Sequence, residues 1–257
     1  MPDHTIEKAR LIEELSANAW RPAVAQQLSG WQIGYSGGAS RRVNSVLTHQ
    51  MSGPVFLEER MALVSDFYRR WNRPVIFKLS PATLPTTLPE ILNERGYTVD
   101  AETNIQTTHI APLITSCAPI QEEILSFPTC QDGWFETYTT ASGYSEESLP
   151  IRRGILSRIG PQANFVLLQH EGVPAAAGLG VVERGWLGIY CMVTVPEARR
   201  RGYANQVLRA LAEWGASLGA ENAYLQVMEN NPPALALYGK LGFRKIYSYY
   251  YLVGPTA

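Results

Sequence analysis

Two segments of the chain combine residue types that can do chemistry together. The first runs Met192-Val-Thr194-Val-Pro196-Glu-Ala-Arg199-Arg200-Arg201-Gly202-Tyr203-Ala204. It reads as a strand that ends at Pro196 and turns through a basic, glycine-containing loop into a helix. The first four N–H groups of a helix lack partners inside it, and the helix dipole adds positive potential there. Backbone alone can therefore bind an anion at such a point. Gly202 removes a Cβ where the chain turns close to a ligand. Guanidinium groups match phosphate oxygens, so Arg199, Arg200 and Arg201 suit a pyrophosphate. The competing reading is a solvated charged loop before a surface helix. The loop is neither a dinucleotide fingerprint nor a P-loop. The second segment runs Asn231-Pro-Pro-Ala234-Leu-Ala-Leu237-Tyr238-Gly-Lys-Leu-Gly242-Phe243. Helical spacing puts Asn231, Ala234 and Tyr238 on one face. A phosphate cradle with a phenol nearby suggests transfer of a group carried on a nucleotide-like cofactor.

These residues resemble the GCN5-related N-acetyltransferases, the GNAT superfamily. Its cofactor loop has the form Gln/Arg-x-x-Gly-x-Gly/Ala, which Arg199, Gly202 and Ala204 fill. Its next element has the form Asn-x-x-Ala-x-x-Leu-Tyr-x-x-x-Gly-Phe. Asn231, Ala234, Leu237, Tyr238, Gly242 and Phe243 match it at the right spacing. The resemblance covers roughly residues 120–252 well and the first half weakly. It implies an N-acetyltransferase that uses acetyl-CoA as co-substrate and no metal. Met192 and Thr194 would bind the pantetheine arm through backbone groups, like an added strand. Arg199, Arg200, Arg201, Gly202, Tyr203 and Ala204 would hold the pyrophosphate. Asn231 would reach the pantetheine side, or simply cap its helix. Tyr238 would protonate the departing thiolate as general acid, and a backbone N–H at Met192 would stabilise the oxyanion.

The elements that must position these groups are legible in the pattern. Ala204, Val207, Leu208, Leu211 and Ala212 share a helical face that stops at Gly219. Trp134–Tyr144 and Glu146–Ile159 read as helices. Phe165–Gln169, Ala175–Val182 and Trp186–Val195 read as strands, with Tyr224–Met228 and Phe243–Val253 after the cofactor helix. In the first half, Trp31–Tyr35 and Arg42–Leu47 read as strands across a Ser36-Gly37-Gly38 turn. A helix carrying Leu57, Met61, Val64, Tyr68 and Trp71 follows, then a strand at Val75–Lys78. A helix from Leu88 to Arg95 and a long strand to about Ile110 complete it. Leu92-Asn-Glu-Arg-Gly96-Tyr97 aligns with Tyr238-Gly-Lys-Leu-Gly242-Phe243, so Leu92 stands where Tyr238 stands. No Arg-x-x-Gly-x-Ala precedes the Leu57 helix; Ser52-Gly53-Pro54 occupies that place.

The expectation is therefore an α/β (α+β) protein of two tandem GNAT-like units. Each would have its own mixed, mostly antiparallel twisted sheet flanked by helices. Residues 1–115 would form a degenerate unit without the cofactor motif, and residues 116–257 the catalytic one with a splayed cleft. The boundary falls near Ala111–Pro119, where prolines interrupt the periodicity. A single enzyme domain with an unrelated extension is the alternative.

Composition closes off other classes. With 46% hydrophobic and 18% charged residues the chain is ordinary for a globular protein. A net charge of −1 gives no basic field for nucleic acid. No apolar run is long enough to span a bilayer, and the first residues lack the core of a signal peptide. Cys117, Cys130 and Cys191 form no metal spacing, and an odd, sparse count fits reduced thiols in the cytoplasm. They read as packing or surface residues. The histidines show no ligand spacing, and no oligomeric contact is indicated. The expected partner is a small-molecule amine. Trp134, Tyr138 and Tyr144 fall where this family's acceptor side lies, and equally suit helix packing. The general base stays open among Glu229, Glu183, His170 and water, because Gln226 stands where some members carry a glutamate. A non-catalytic acyl-CoA sensor, a protein amine acetyltransferase and an aminoacyl-tRNA-using transferase remain as alternatives.

Overall fold

The computed structural model describes residues 2–255. The first half holds α1 (Pro2–Ala19), β1 (Val24–Leu28), β2 (Trp31–Tyr35) and β3 (Val46–Leu47). It continues with α2 (Leu57–Arg69), β4 (Ile76–Leu79), α3 (Leu88–Glu94) and β5 (Thr98–His109). The second half opens with α4 (Ile110–Ser116), β6 (Glu123–Phe127), α5 (Asp132–Ser142) and α6 (Leu149–Leu156). Then come β7 (Gln162–His170), β8 (Val173–Glu183), β9 (Trp186–Thr194) and α7 (Tyr203–Ser217). The chain closes with β10 (Asn222–Met228), α8 (Pro232–Lys240) and β11 (Arg244–Val253).

All eleven strands lie in one twisted mixed sheet, ordered β1-β2-β3-β4-β11-β5-β10-β9-β8-β7-β6. The expectation of a separate sheet in each half is corrected by this order. The strand after α3, β5, runs antiparallel to β10 of the second half. The strand after α8, β11, runs antiparallel to β4 of the first half. The two halves have exchanged their last strands, and β11 pairs with β5 at the centre. Pairing satisfies backbone groups that two free sheet edges would expose. Among the described residues, only β3–β4 and β9–β10 are parallel, one pair in each half. The order of elements β1 to β5 thus repeats in β7 to β11, with α2 matching α7 and α3 matching α8. The chain leaves α3 and α8 alike: Tyr97 N donates to Leu92 O, and Phe243 N to Tyr238 O, each at 3.1 Å. Gly96 and Gly242 both take positive φ, +77° and +87°, which a Cβ would disfavour.

Alternation along β7 shows why helices cover both faces. Phe165 and Leu167 pack with α1, α5 and α6 residues such as Ile12, Trp134 and Ile155. Val166 and Leu168 pack on the other side with Leu113, Val207 and Leu211. The α2 and α3 side chains form a third cluster with Trp31 and Phe77. Two local expectations differ. Residues 110–116, read as a boundary loop, form α4; Pro112 sits in its first turn, where a missing N–H costs nothing. The expected strand from Arg42 shrinks to two residues, because Asn44 folds residues 36–44 into a turn. Its Oδ1 accepts from Ser36 N at 2.7 Å and Gly38 N at 3.1 Å, and its Nδ2 donates to Ser40 O at 2.6 Å.

A splayed-strand cleft as candidate active site

The site begins with a defect in β9. Pairing with β8 jumps from Leu179↔Tyr190 to Ala177↔Val193, so Cys191 and Met192 together oppose Gly178. Such a bulge bends its strand. Cys191 takes φ +52°, a left-handed conformation unusual for a side-chain-bearing residue. Gly178 fits because an added Cβ would lie 2.6 Å from Met192 Sδ and 2.7 Å from Val207 Cγ1. The Trp134 indole N–H reaches the Gly178 carbonyl at 3.1 Å and the Val166 carbonyl at 3.0 Å. Trp134 is fully buried and pins the bulge from behind, so it does not line the cleft.

The bend parts β9 from β10. Their parallel register runs from Asn222↔Trp186 to Leu225↔Ile189 and stops. Beyond it, residues 190–194 and 226–228 present strand edges to each other across a gap. A cavity of about 320 Å³ opens there. Met192, Cys191, Gln226, Asn231, Ala234 and Tyr238 line it, as do Tyr138 and Tyr144.

The basic loop lies where β9 passes into α7. Arg200 and Gly202 both take positive φ, +62° and +82°. A Cβ on Gly202 would meet nothing within 4 Å, so that position faces open space. Among the described residues, the N–H groups of Arg200, Arg201, Gly202, Tyr203 and Ala204 find no acceptor in the protein. Arg199, Arg200 and Arg201 are all exposed, and Arg199 Nε turns back to Thr194 O at 3.4 Å. The Tyr203 ring is buried, 5.6 Å from His170, so only its backbone faces the loop. The arrangement leaves these N–H groups unpaired at a helix N-terminus, the geometry by which backbone can bind an anion, and the gap between β9 and β10 leads away from it.

On α8, Asn231 Oδ1 accepts from Ala234 N at 3.3 Å and caps the helix. Its Nδ2 donates to no described residue. Tyr238 is 8% exposed, with its ring edge-on to Phe243 at 5.7 Å. Burial pushes its phenol up to about 12. Its hydroxyl has no hydrogen bond to any described residue, and Tyr238 is one of the residues that line the cavity. Burial also pushes the Cys191 thiol up to about 12. It stays a thiol at neutral pH, and thiols are weak nucleophiles.

A family model described as "Probable histone acetyltransferase Rv0428c C-terminal" matches residues 7–252. The chain belongs to this family. It is an acetyltransferase of the GNAT superfamily. The "Uncharacterized N-acetyltransferase YobR" of Bacillus subtilis is 29% identical over 253 residues, covering 96% of this chain and 99% of that one. A GCN5-related N-acetyltransferase from Kribbella flavida has a similar fold, with TM-score 0.66 at 14% identity over 98% of this chain and 96% of that one. A "Tandem GNAT protein from the clavulanic acid biosynthesis pathway" gives TM-score 0.65 at 13% identity, over 96% of this chain and 89% of that one.

The cleft draws in residues that the sequence did not single out. Trp20, Ser40 and Arg42 of the first half line the same cavity as Tyr238. Tyr190, on the lining, shares a hydroxyl–hydroxyl hydrogen bond with buried Tyr224 behind it. Gln226 accepts from Tyr249 Oη at 2.8 Å and donates to Ser16 Oγ at 2.5 Å, which ties the wall to α1 and β11. The three candidate bases lie elsewhere. Glu229 pairs with Lys245 at 2.8 Å, His170 with Glu122 at 3.0 Å, and Glu183 accepts from Asn18 at 2.9 Å. Among the described residues, no Asp, Glu or His lines the cavity. No helix there is long and apolar enough to cross a membrane.

Proposed function

We propose that this acetyltransferase moves the acetyl group of acetyl-CoA to a primary amine of a small molecule, by direct attack in a ternary complex. The observation that carries the reading is the parting of β9 and β10 between an anion cradle and the free hydroxyl of Tyr238. Bound coenzyme would supply the acetyl thioester. The N–H groups of residues 200–204, with the guanidinium groups of Arg199, Arg200 and Arg201, would hold its pyrophosphate. The open edge of β9 at Met192 and Thr194 offers backbone groups to a pantetheine arm, as an added strand would use them. The free Asn231 Nδ2 adds one side-chain donor. The Met192 N–H is the candidate donor to the thioester oxygen, where charge develops.

Tyr238 carries the proton that balances the step. The amine nitrogen bonds to the acetyl carbon and releases a proton to water. The carbon–sulfur bond breaks, and the departing sulfur takes the Tyr238 proton, which solvent then replaces. With no carboxylate or histidine on the lining, the amine proton leaves through water. Direct attack is favoured over an acetyl-enzyme because Cys191, the nearest thiol, is held protonated by burial.

The first half keeps the helix order but not the machinery. Leu92 is buried where Tyr238 stands. The counterpart loop is fastened by buried Arg60, which donates to the carbonyls of Val55, Ser29 and Ser52. We therefore read residues 1–115 as a unit that binds no coenzyme and residues 116–257 as the catalytic one, acting in the cytoplasm. A second reading, acetylation of a protein amine, draws support from the histone acetyltransferase description of the matching family. Melting curves with acetyl-CoA and an amine screen read by thiol release test the proposal together. An unshifted curve at millimolar coenzyme, with no thiol released for any amine, would overturn it.

A further inference from the structure

Arg42 is the unexplained group in the cleft. It comes from the Ser36–Asn44 turn of the first half, yet it lines the cavity that holds Tyr238. Its Cζ lies 5.4 Å from the Trp20 ring centre and 5.7 Å from that of Tyr190. Those two rings stack on each other at 5.8 Å. Among the described residues, Arg42 has no ion pair and donates no hydrogen bond, whereas its neighbour Arg41 pairs with Asp100 at 2.5 Å. The Trp20 indole N–H beside it is buried without an acceptor. A guanidinium cannot lose its proton in a protein, and Arg42 is half-buried with no acceptor or anion among the described residues to meet it. The turn that carries it is rigid: Asn44 ties it internally, and Arg152 Nη2 grips the Ala39 carbonyl at 3.0 Å. Arg152, stacked on Tyr144, is the one other charged group on the lining among the described residues.

Among the described residues, the lining therefore carries two fixed positive charges and no negative one. A bound anion entering the cavity would find its partner in Arg42. The coenzyme's phosphates belong at the 199–204 loop, which contributes nothing to this lining. A pantetheine arm and an acetyl thioester are uncharged. The anion left to be supplied is on the acceptor. Resting on the acetyltransferase reading above, we infer that the acceptor is a primary amine that also bears a carboxylate, an amino-acid-class molecule, and that Arg42 is the specificity residue that holds that carboxylate. A planar guanidinium binds a carboxylate through paired hydrogen bonds. The same charges repel polyamines and basic protein tails, so one residue selects for the first class and against the others.

The test uses the full-length protein, acetyl-CoA and matched acceptors: the twenty amino acids and short dipeptides, their carboxamides, a polyamine and a basic histone-tail peptide. Thiol release should strongly favour the carboxylates, with kcat/KM roughly 10²-fold lower on the matching amide. Arg42→Gln should raise KM for the acid by about the same factor, leave kcat within a few-fold, and leave the amide unchanged. Arg42→Lys should recover part of the loss, because it keeps the charge without the fork. A melting shift by acetyl-CoA in every variant shows that the fold and the coenzyme site survive. Equal use of acid and amide by the parent would overturn the inference. So would faster acetylation of the polyamine or the tail peptide, or no turnover of any carboxylate in protein that acetyl-CoA stabilises. A parallel arm with succinyl-CoA and the amides distinguishes the other source of a carboxylate. Preference for that donor would assign Arg42 to the acyl group and overturn the acceptor assignment. Protein that acetyl-CoA does not stabilise at all brings down the parent reading, and this one with it.

Discussion

Replacing Tyr238 by phenylalanine separates chemistry from packing unusually well. The ring is buried and edge-on to Phe243, so its packing area survives the change. The hydroxyl has no described partner, so its loss leaves no buried group unsatisfied. The stability cost is therefore about 1 kcal/mol or less. The anion cradle lies on a different element, α7, so stabilisation by acetyl-CoA should match the parent. Turnover should fall roughly 10²–10⁴-fold, the worth of one positioned acid. The loss belongs in kcat, because the proton is needed only as the thiolate departs. The raised phenol adds a second signature: at about 12 it stays protonated across the working range, so it produces no alkaline limb near pH 10 in the parent. The assay is steady-state thiol release against the best acceptor, with melting curves beside it. A Tyr238→Phe enzyme that turns over like the parent would refute the role. Lost turnover accompanied by lost coenzyme stabilisation would show that the side chain shapes binding instead.

Further expectations concern other parts of the fold. Gly202→Leu should keep the fold at a cost of roughly 1–2 kcal/mol for the left-handed backbone, and abolish the acetyl-CoA melting shift by filling the cradle mouth; a retained shift places the pyrophosphate elsewhere. Lys78→Met should destabilise by roughly 3–5 kcal/mol, because it leaves Glu13, 2.6 Å away and buried with it, as an unpaired charge; chemical denaturation reads this, and a small loss would mean that Tyr247 alone satisfies the carboxylate. Burial raises the phenols of Tyr190 and Tyr238 to about 12, above the unfolded value near 10. Their contribution is complete below pH 10 and is lost as pH rises from 10 through 12. Denaturation midpoints should fall over that window, and constant midpoints would contradict the burial.

The parts that act locally were readable from the chain's order of residues. The order Arg199, Gly202, Ala204 and the spacing Asn231, Ala234, Tyr238 lie within one turn or one short helix, where neighbours in sequence are neighbours in space. Helix α7, its stop at Gly219 and the strands after Phe165 were legible for the same reason, since periodicity reports one face of one element. The repeat was legible only as punctuation, in Leu92-to-Gly96 against Tyr238-to-Gly242. Tertiary structure decided the rest. Pairing between strands far apart in sequence carries no local signature, so the exchange of β5 and β11 and the single shared sheet could not be read from pattern. The bulge at Cys191 depends on Gly178 and on the indole of Trp134, a helix residue whose aromatic character suggested an acceptor wall. Arg42 looked like the start of a strand. Only the turn held by Asn44, and the closure of one half against the other, bring its charge into the cavity of Tyr238. Whether a charge has a partner is a property of the whole packed molecule, and here it separates Arg42, without one, from Arg41 beside it in the chain.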